Sequence, residues 1–138
     1  MRAISLWQPW ASLWASGRKV HETRHWATDY RGPLAIHAAQ RFVRDIGPDL
    51  AEILDDQFGP HWGRDLLRGA IVGTCDLVAC VPTATHFPAS IDDEAAGDWS
   101  DGRFAWRAAN FRLLARPIEW KGRQGFFSIP DSILREAA

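Results

Sequence analysis

The sequence predicts an α+β domain in which helices pack on the outside of a small β-barrel. Short apolar stretches of strand length, glycines at the bends and interrupting helical stretches favour this class. The 138 residues suit one domain with a single core, so we expect residues 1–138 to fold as one unit. The 46% hydrophobic and 24% charged content is ordinary for a soluble globular protein.

The opening strand and the first helix are predicted from periodicity. Ile4 and Leu6 alternate as in a strand, and Pro9 suits the first helical turn, where its missing N–H costs nothing. Gly17 is expected at the helix end, because glycine accepts the left-handed conformation found there. The residues that recur at helical spacing and form one large apolar face are Trp10, Leu13 and Trp14.

A short charged strand is expected directly after this helix. Lys19, Glu22 and Arg24 lie within six residues, and a strand with so many charges gains little from the core. Glu22 and Arg24 have the same parity in the strand, so their side chains are predicted to point the same way. We expect the strand to form one wall of a ligand site; the alternative is a surface ion pair of little energetic value.

The rest of the chain alternates strands, helices and one long loop. His37 is predicted to point away from the apolar side chains of its strand. Gly47-Pro48 should separate two helical stretches between residues 41 and 58, and Gly59-Pro60 should end the second. Further strands are expected over 34–38, 70–81, 104–114 and 126–129, with a polar loop over 82–101 and a terminal helix capped by Asp131.

Charge is distributed unevenly along the chain. Residues 1–44 contain seven basic and two acidic residues, residues 45–101 two basic and twelve acidic, and residues 102–138 seven basic and three acidic. If the two ends of the chain pair in space, the protein has one basic side and one acidic side, as polyanion binders do. The alternatives are that the middle segment is an acidic insert or a surface for a protein partner.

Metals, disulfides and membranes are all unexpected for this chain. Cys75 and Cys80 are five residues apart, which puts them on opposite faces of a strand. His21 and His25 would be roughly 13 Å apart in a strand, too far to share an ion, so we expect no metal and no cofactor. The chain start lacks the apolar run of a signal peptide, and no stretch resembles a membrane span, so we expect a cytoplasmic protein.

Three segments of the chain carry a family pattern. They are Leu6-Trp7-Gln8-Pro9-Trp10-Ala11, the pattern Gly-x-Lys-x-x-Glu-x-Arg over 17–24, and Tyr30-Arg31-Gly32-Pro33-Leu34-Ala35-Ile36-His37-Ala38. Together they resemble the ASCH domain, which belongs to the PUA-like group of folds. Trp106, Arg116-Pro117 and residues 121–126 resemble the closing strands of its bacterial members. The resemblance implies a mixed β-barrel, a cleft between the barrel and the first helix, and RNA or a modified nucleoside as the partner.

The resemblance also implies two enzymatic alternatives. Some members are similar to small amidohydrolases that act on N4-acylated cytidine nucleosides, and the lysine matched by Lys19 is catalytic there; others have been proposed as ribonucleases, which here would be metal-independent. This chain departs from the amidohydrolase pattern, since Glu22 stands where those members have a threonine. A glutamate would act as a base for water rather than as a nucleophile. The nearest matches to their acid are Asp93 and Glu94, of which Glu94 is the candidate.

We therefore predict RNA or nucleoside binding first, and catalysis by Lys19, Glu22 and Glu94 as the alternative. Lys19 and Arg24 would hold a phosphate or sugar, while Glu22 and His37 would contact the base. Tryptophans would stack on a base; the alternative for each is a place in the core. The predicted binding set is Gln8, Trp10, Lys19, Glu22, Arg24, Tyr30, Arg31, His37, Trp106, Lys121 and Arg123.

Overall fold

The computed structural model describes residues 1–137, in which helices pack on an open mixed sheet. The strands are β1 (Arg2–Gln8), β2 (His21–Arg24), β3 (Gly32–Phe42), β4 (Ala70–Pro82), β5 (Phe104–Glu119) and β6 (Phe127–Ser128). The helices are α1 (Trp10–Ala15), α2 (Pro48–Phe58), α3 (Trp62–Asp65), α4 (Ile91–Ala95) and α5 (Asp131–Ala137), and a 3-10 turn covers Thr83–Thr85.

The six strands lie in the order β2-β5-β4-β3-β1-β6. β1 and β3 run parallel, with Ile4 opposite Ile36, and the other neighbouring strands are antiparallel. The predicted α+β class is confirmed. The edge strands β2 and β6 do not pair with each other, so the sheet is not closed and is barrel-like only loosely.

The two basic ends of the chain adjoin in this sheet, because β1 pairs with β6 and β2 pairs with β5. The acidic middle segment is tied to them by Arg18, whose guanidinium lies 2.8 Å from both Asp56 and Asp92. The two ends of the chain therefore pair in space, which is what separate basic and acidic sides require.

The core has one cluster on each face of the sheet and a third beneath α2. Trp14 of α1 and Trp106 of β5 are fully buried with Ile4 and Ile36 on the first face. The opposite face buries a second cluster that includes Ile71 and Phe127. α1 is thus held against the sheet by its apolar face, as its spacing predicts.

The predicted end of α1 is confirmed at Gly17, which has a φ of +79°. A Cβ at this position would lie 3.0 Å from the Phe111 ring, so both the backbone angle and the space require glycine. This tight end directs the chain from α1 into β2.

Of the two helices predicted between residues 41 and 58, only the second is present; the first was wrong, because β3 extends into that stretch. β3 continues to Phe42, because it pairs with β1 and Val43 N–H donates to the Gln8 carbonyl. Only the second helix forms; it begins at Pro48 and ends before Gly59, as predicted. Strand pairing across 34 residues of sequence thus overrides the local helical pattern.

Cys75 and Cys80 both have free thiols on β4, Cys75 buried and Cys80 half-buried. Burial, with a smaller contribution from the Asp76 charge, raises the pKa of the Cys75 thiol to about 12. Among residues 1–137 there is no helix that is both long and apolar enough to cross a membrane.

Candidate functional site

A cleft of about 1330 Å³ opens where the start of α1 meets the sheet. Its polar wall comes from β2 and from the turn between β5 and β6, and its apolar wall from β1, α1 and α2. The predicted site residues that line it are Trp10, Glu22, Arg24, His37, Lys121 and Arg123. The volume is large enough for a nucleoside or a short stretch of single-stranded nucleic acid.

Lys19, Glu22 and Arg24 form one charged group, of which Glu22 and Arg24 line the cleft and Lys19 is buried beside them. The Lys19 side chain is 1% exposed, and its Nζ lies 2.6 Å from Glu22 Oε1 and 3.4 Å from the Ala96 carbonyl. Arg24 Nη1 lies 3.4 Å from the other carboxylate oxygen of Glu22. Glu22 therefore bridges two cations, and it points the same way as Arg24, as strand parity predicts.

Arg24 is held by aromatic rings rather than by carboxylates alone. Its guanidinium carbon lies 5.5 Å from the Trp26 ring centre and 5.8 Å from that of Trp106, a cation–π arrangement. Its Nε is buried and has no hydrogen-bond partner within residues 1–137, and the same holds for Nε of Arg103, which also lines the cleft. Arg103 was not predicted, because nothing in its local sequence separates it from the other arginines of the chain.

The basic turn, residues 121–125, closes one end of the cleft. Among the described residues, no backbone N–H group of this turn donates a hydrogen bond to another part of the chain. Gly122 lies directly against Ser5 and His37, and a Cβ at this position would overlap both side chains. The turn thus brings two exposed cations, Lys121 and Arg123, next to free backbone donors.

His37 is buried and bonded at both ring nitrogens. Nε2 lies 2.6 Å from the Trp120 carbonyl, and Nδ1 is hydrogen-bonded to Ser5 Oγ. Burial lowers the pKa of His37, and the hydrogen bond to Trp120 opposes that shift only partly. The side chain points away from Leu34 and Ile36, as predicted, towards the cleft and the cluster of Phe127.

Six residues of the predicted sets do not line the cleft, among them the buried Lys19. Gln8 is fully buried and bonds Ser12 and the Leu67 carbonyl, which ties α1 to the chain before β4. Trp106 is a core residue whose ring packs against the Arg24 guanidinium. Glu94 is exposed on α4. The remaining two are Tyr30 and Arg31, which bond backbone carbonyls near the start of β3.

A buried charged cluster behind β2 was not predicted. Asp93 and His21 are both fully buried, and Asp93 Oδ2 lies 2.7 Å from His21 Nδ1. His21 Nε2 in turn lies 3.1 Å from Nε2 of His86, and the Trp99 ring packs edge-on to His21. Ser90 is the N-cap of α4, since its Oγ accepts a hydrogen bond from the backbone N–H of Asp93. The Ser-x-x-Asp spacing was therefore a signal for the start of α4.

Asp93 carries its charge because backbone donors surround it. Burial acts to raise the pKa of Asp93, but hydrogen bonds from His21 and Ala89 outweigh it and lower the pKa to about 2. A carboxylate only accepts, so His21 Nδ1 carries the proton in this bond. The cluster holds α4 against β2. The end of α4 and the residues that follow it, 95–98, line the cleft.

The described part of the chain contains no group of three or more His, Cys, Asp or Glu side chains arranged to hold a metal ion. The polar groups that line the cleft are cations, the carboxylates of Glu22 and Asp98, backbone donors and the Ser5–His37 pair.

Comparison with known proteins relates this fold to one family. The model of the ASCH domain matches residues 4–118. The crystal structure of an ASCH protein from Zymomonas mobilis is similar in shape, with a TM-score of 0.55 at 15% identity over 98% of this chain and 91% of that one. A single-residue variant of that protein, at 14% identity, has the same TM-score over 98% of this chain and 94% of its own.

No curated protein sequence matches the chain. Identities this low relate the structures by fold alone, and the family assignment depends on the sequence model, which spans most of the chain. On that match, the chain belongs to the ASCH domain family.

Proposed function

We propose that the chain binds RNA or a modified nucleoside in the cleft. The observation that carries the proposal is the pair of arginines on the cleft wall, Arg24 and Arg103. Arg24 Nε is buried without a hydrogen-bond partner in residues 1–137, and Arg103 Nε has only the Asp98 carboxylate, 3.5 Å away, too loose for a hydrogen bond. A buried donor without a partner costs about 1–3 kcal/mol. A phosphate or carbonyl oxygen of a ligand would offset this cost once the side chain turned its Nε–H group into the cleft. Membership in the ASCH family, whose fold is RNA-associated, supports the same class of ligand.

Aromatic side chains in the cleft support a ligand with bases. Trp7, Trp10 and Trp26 line it, and Trp7 is 50% exposed, unusual for so large an apolar side chain. The Arg41 guanidinium carbon lies 4.2 Å from the Trp7 ring centre, covering one face of the ring. A base stacked on the other face would gain about 1–3 kcal/mol. Phosphates would contact Lys121 and Arg123 of the basic turn.

The test is binding of a fluorescent single-stranded RNA, measured by anisotropy at two salt concentrations. We expect affinity to fall as salt rises, and Arg24→Ala to weaken binding about 10- to 100-fold. Arg116→Ala is the matched control, since Arg116 is exposed on β5 and does not line the cleft. Cytidine and N4-acetylcytidine are tested in parallel by thermal shift. The proposal fails if neither the RNA nor the nucleosides bind the wild-type protein.

A second candidate function is hydrolysis of N4-acylated cytidine nucleosides in the same cleft. The observation that favours it is the buried Lys19 Nζ, 2.6 Å from a Glu22 oxygen that faces the cleft. In this hypothesis Glu22 would take a proton from water, while Lys19 would stabilise charge on the amide oxygen.

This second function is tested by acetate release from N4-acetylcytidine. Lys19→Met and Glu22→Gln should each abolish turnover, whereas Glu119→Gln, an exposed carboxylate outside the cleft, should leave it unchanged. Absence of acetate from the wild-type protein would exclude the hypothesis. Shortening of the RNA probe without added metal would favour the ribonuclease alternative instead.

A further inference from the structure

Ser5 and His37 form a hydrogen-bonded pair on the wall of the cleft that the proposed function does not use. Both side chains line the cleft, but His37 is 2% exposed, whereas Ser5 is partly accessible. Ser5 lies in the middle of β1, opposite His37 in the parallel pairing with β3, so two strands of the core fix their relative positions. A site on strands is held more rigidly than one on loops.

The hydrogen-bond pattern determines which atom carries which proton. A backbone carbonyl only accepts, so His37 Nε2 must donate to Trp120. The burial that lowers the pKa of His37 favours the neutral ring, which leaves Nδ1 as an acceptor. Ser5 Oγ–H therefore donates to Nδ1. Because both ring nitrogens are occupied, His37 can act on a ligand only through Ser5.

The basic turn supplies the third component of a reaction site. Gly122 lies against Ser5 Oγ and the His37 ring so closely that no side chain would fit there. The backbone N–H groups of residues 121–125 have no acceptor within the described chain. Free backbone donors beside a hydroxyl can stabilise the negative charge that develops on a carbonyl oxygen under attack.

We infer that Ser5 is a nucleophile, activated by His37 as general base and oriented through Trp120, for hydrolysis of an ester or amide bond in the cleft. Ser5 Oγ forms a bond to the carbonyl carbon while its proton moves to His37 Nδ1. The alcohol or amine leaves with that proton, and water then releases the acid from the acyl-serine and restores the hydroxyl. The identity of the natural substrate depends on the proposed function, whereas the reactivity of Ser5 does not.

The experiment uses a fluorophosphonate probe on the full chain, which tests the serine without RNA or a nucleoside. Intact mass should show one adduct, and peptide mapping should place it on Ser5. Ser5→Ala should abolish labelling, and His37→Gln should slow it about 100-fold. Ser132→Ala, which removes an exposed hydroxyl on α5, should label like the wild type. Hydrolysis of p-nitrophenyl acetate should show the same ranking of variants.

Failure to label the folded wild type, or an adduct that persists in Ser5→Ala, overturns the inference and makes the pair a structural hydrogen bond. If His37→Gln does not fold by circular dichroism, the pH dependence of wild-type labelling replaces it. Labelling must then slow as the pH falls below about 6.5 and His37 becomes protonated. A profile that stays flat down to the pH at which the protein unfolds overturns the inference. A labelled Ser5 without RNA affinity would instead refute the proposed function alone.

Discussion

The two sides of β2 differ in how completely their polar groups are satisfied. His21 points to the side covered by α4, where Asp93, His86 and Trp99 enclose it. Glu22 and Arg24 point to the cleft, where Arg24 Nε has no partner within residues 1–137. Four consecutive residues thus build a closed network on one side and an open one on the other.

This difference distinguishes the charges that hold the fold from those that we propose to bind a ligand, which residue type alone does not do. On the closed side, four N–H donors converge on the two oxygens of Asp93. On the open side, the Glu22 carboxylate balances two cations, and donors remain at Arg24 and Arg103. We expect changes on the closed side to reduce stability, and changes on the open side to reduce binding.

The largest effect is expected for Asp93→Asn. Each Asp93 oxygen accepts two N–H groups, so either orientation of an amide would set its NH2 against two donors. The free energy of unfolding should fall by about 3–5 kcal/mol in urea denaturation. Glu94→Gln, the exposed neighbour on α4, should change it by less than about 0.5 kcal/mol. Equal effects of the two variants would contradict a special role for the closed network.

Acid should weaken the fold in two stages. His37 and His86 have lowered pKa values, so the unfolded chain binds their protons first, and stability should begin to fall below about pH 6.5. The pKa of Asp93 is lowered to about 2 from 3.8, so its contribution is lost between those values. Chemical denaturation from neutral to acidic pH checks both stages. In Asp93→Asn the second stage should shrink, and an unchanged profile would contradict its assignment.

A small effect on stability but a clear effect on binding is expected for Arg24→Lys. Lysine keeps the charge but loses the planar fork and its packing on Trp26 and Trp106. Unfolding free energy should change by less than about 1 kcal/mol, whereas RNA affinity should fall about tenfold. Parallel denaturation and anisotropy measurements check this split. A loss of stability without a loss of affinity would place Arg24 with the structural residues.

The sequence predicted elements whose signals are local. Periodicity located α1, its end at Gly17 and the face of His37, because side-chain spacing and glycine geometry act over a few residues. It failed over residues 41–47, where pairing with β1 extends β3. The open sheet edge depends on the absence of pairing between β2 and β6, which no local pattern encodes.

The candidate site divides in the same way. The Lys19, Glu22 and Arg24 group lies within one short segment and was predicted, whereas the contact of His21 with Asp93 joins residues 72 apart. Ser5 carries no signal of its own, since its significance comes from its place opposite His37 and beneath Gly122. Long-range pairing therefore creates the chemistry that sequence patterns do not reveal.

Because Cys75 is buried and Cys80 is half-buried, their reactivity can report how often β4 opens. A thiol reagent should modify half-buried Cys80 on the intact protein, while Cys75, with a pKa of about 12 in the core, should react only in molecules whose central strand has opened. In a Cys80→Ser background, the rate of Cys75 modification then measures how often the sheet opens. A ligand that binds only the closed sheet should slow that rate by a factor of one plus the ratio of the free ligand concentration to Kd.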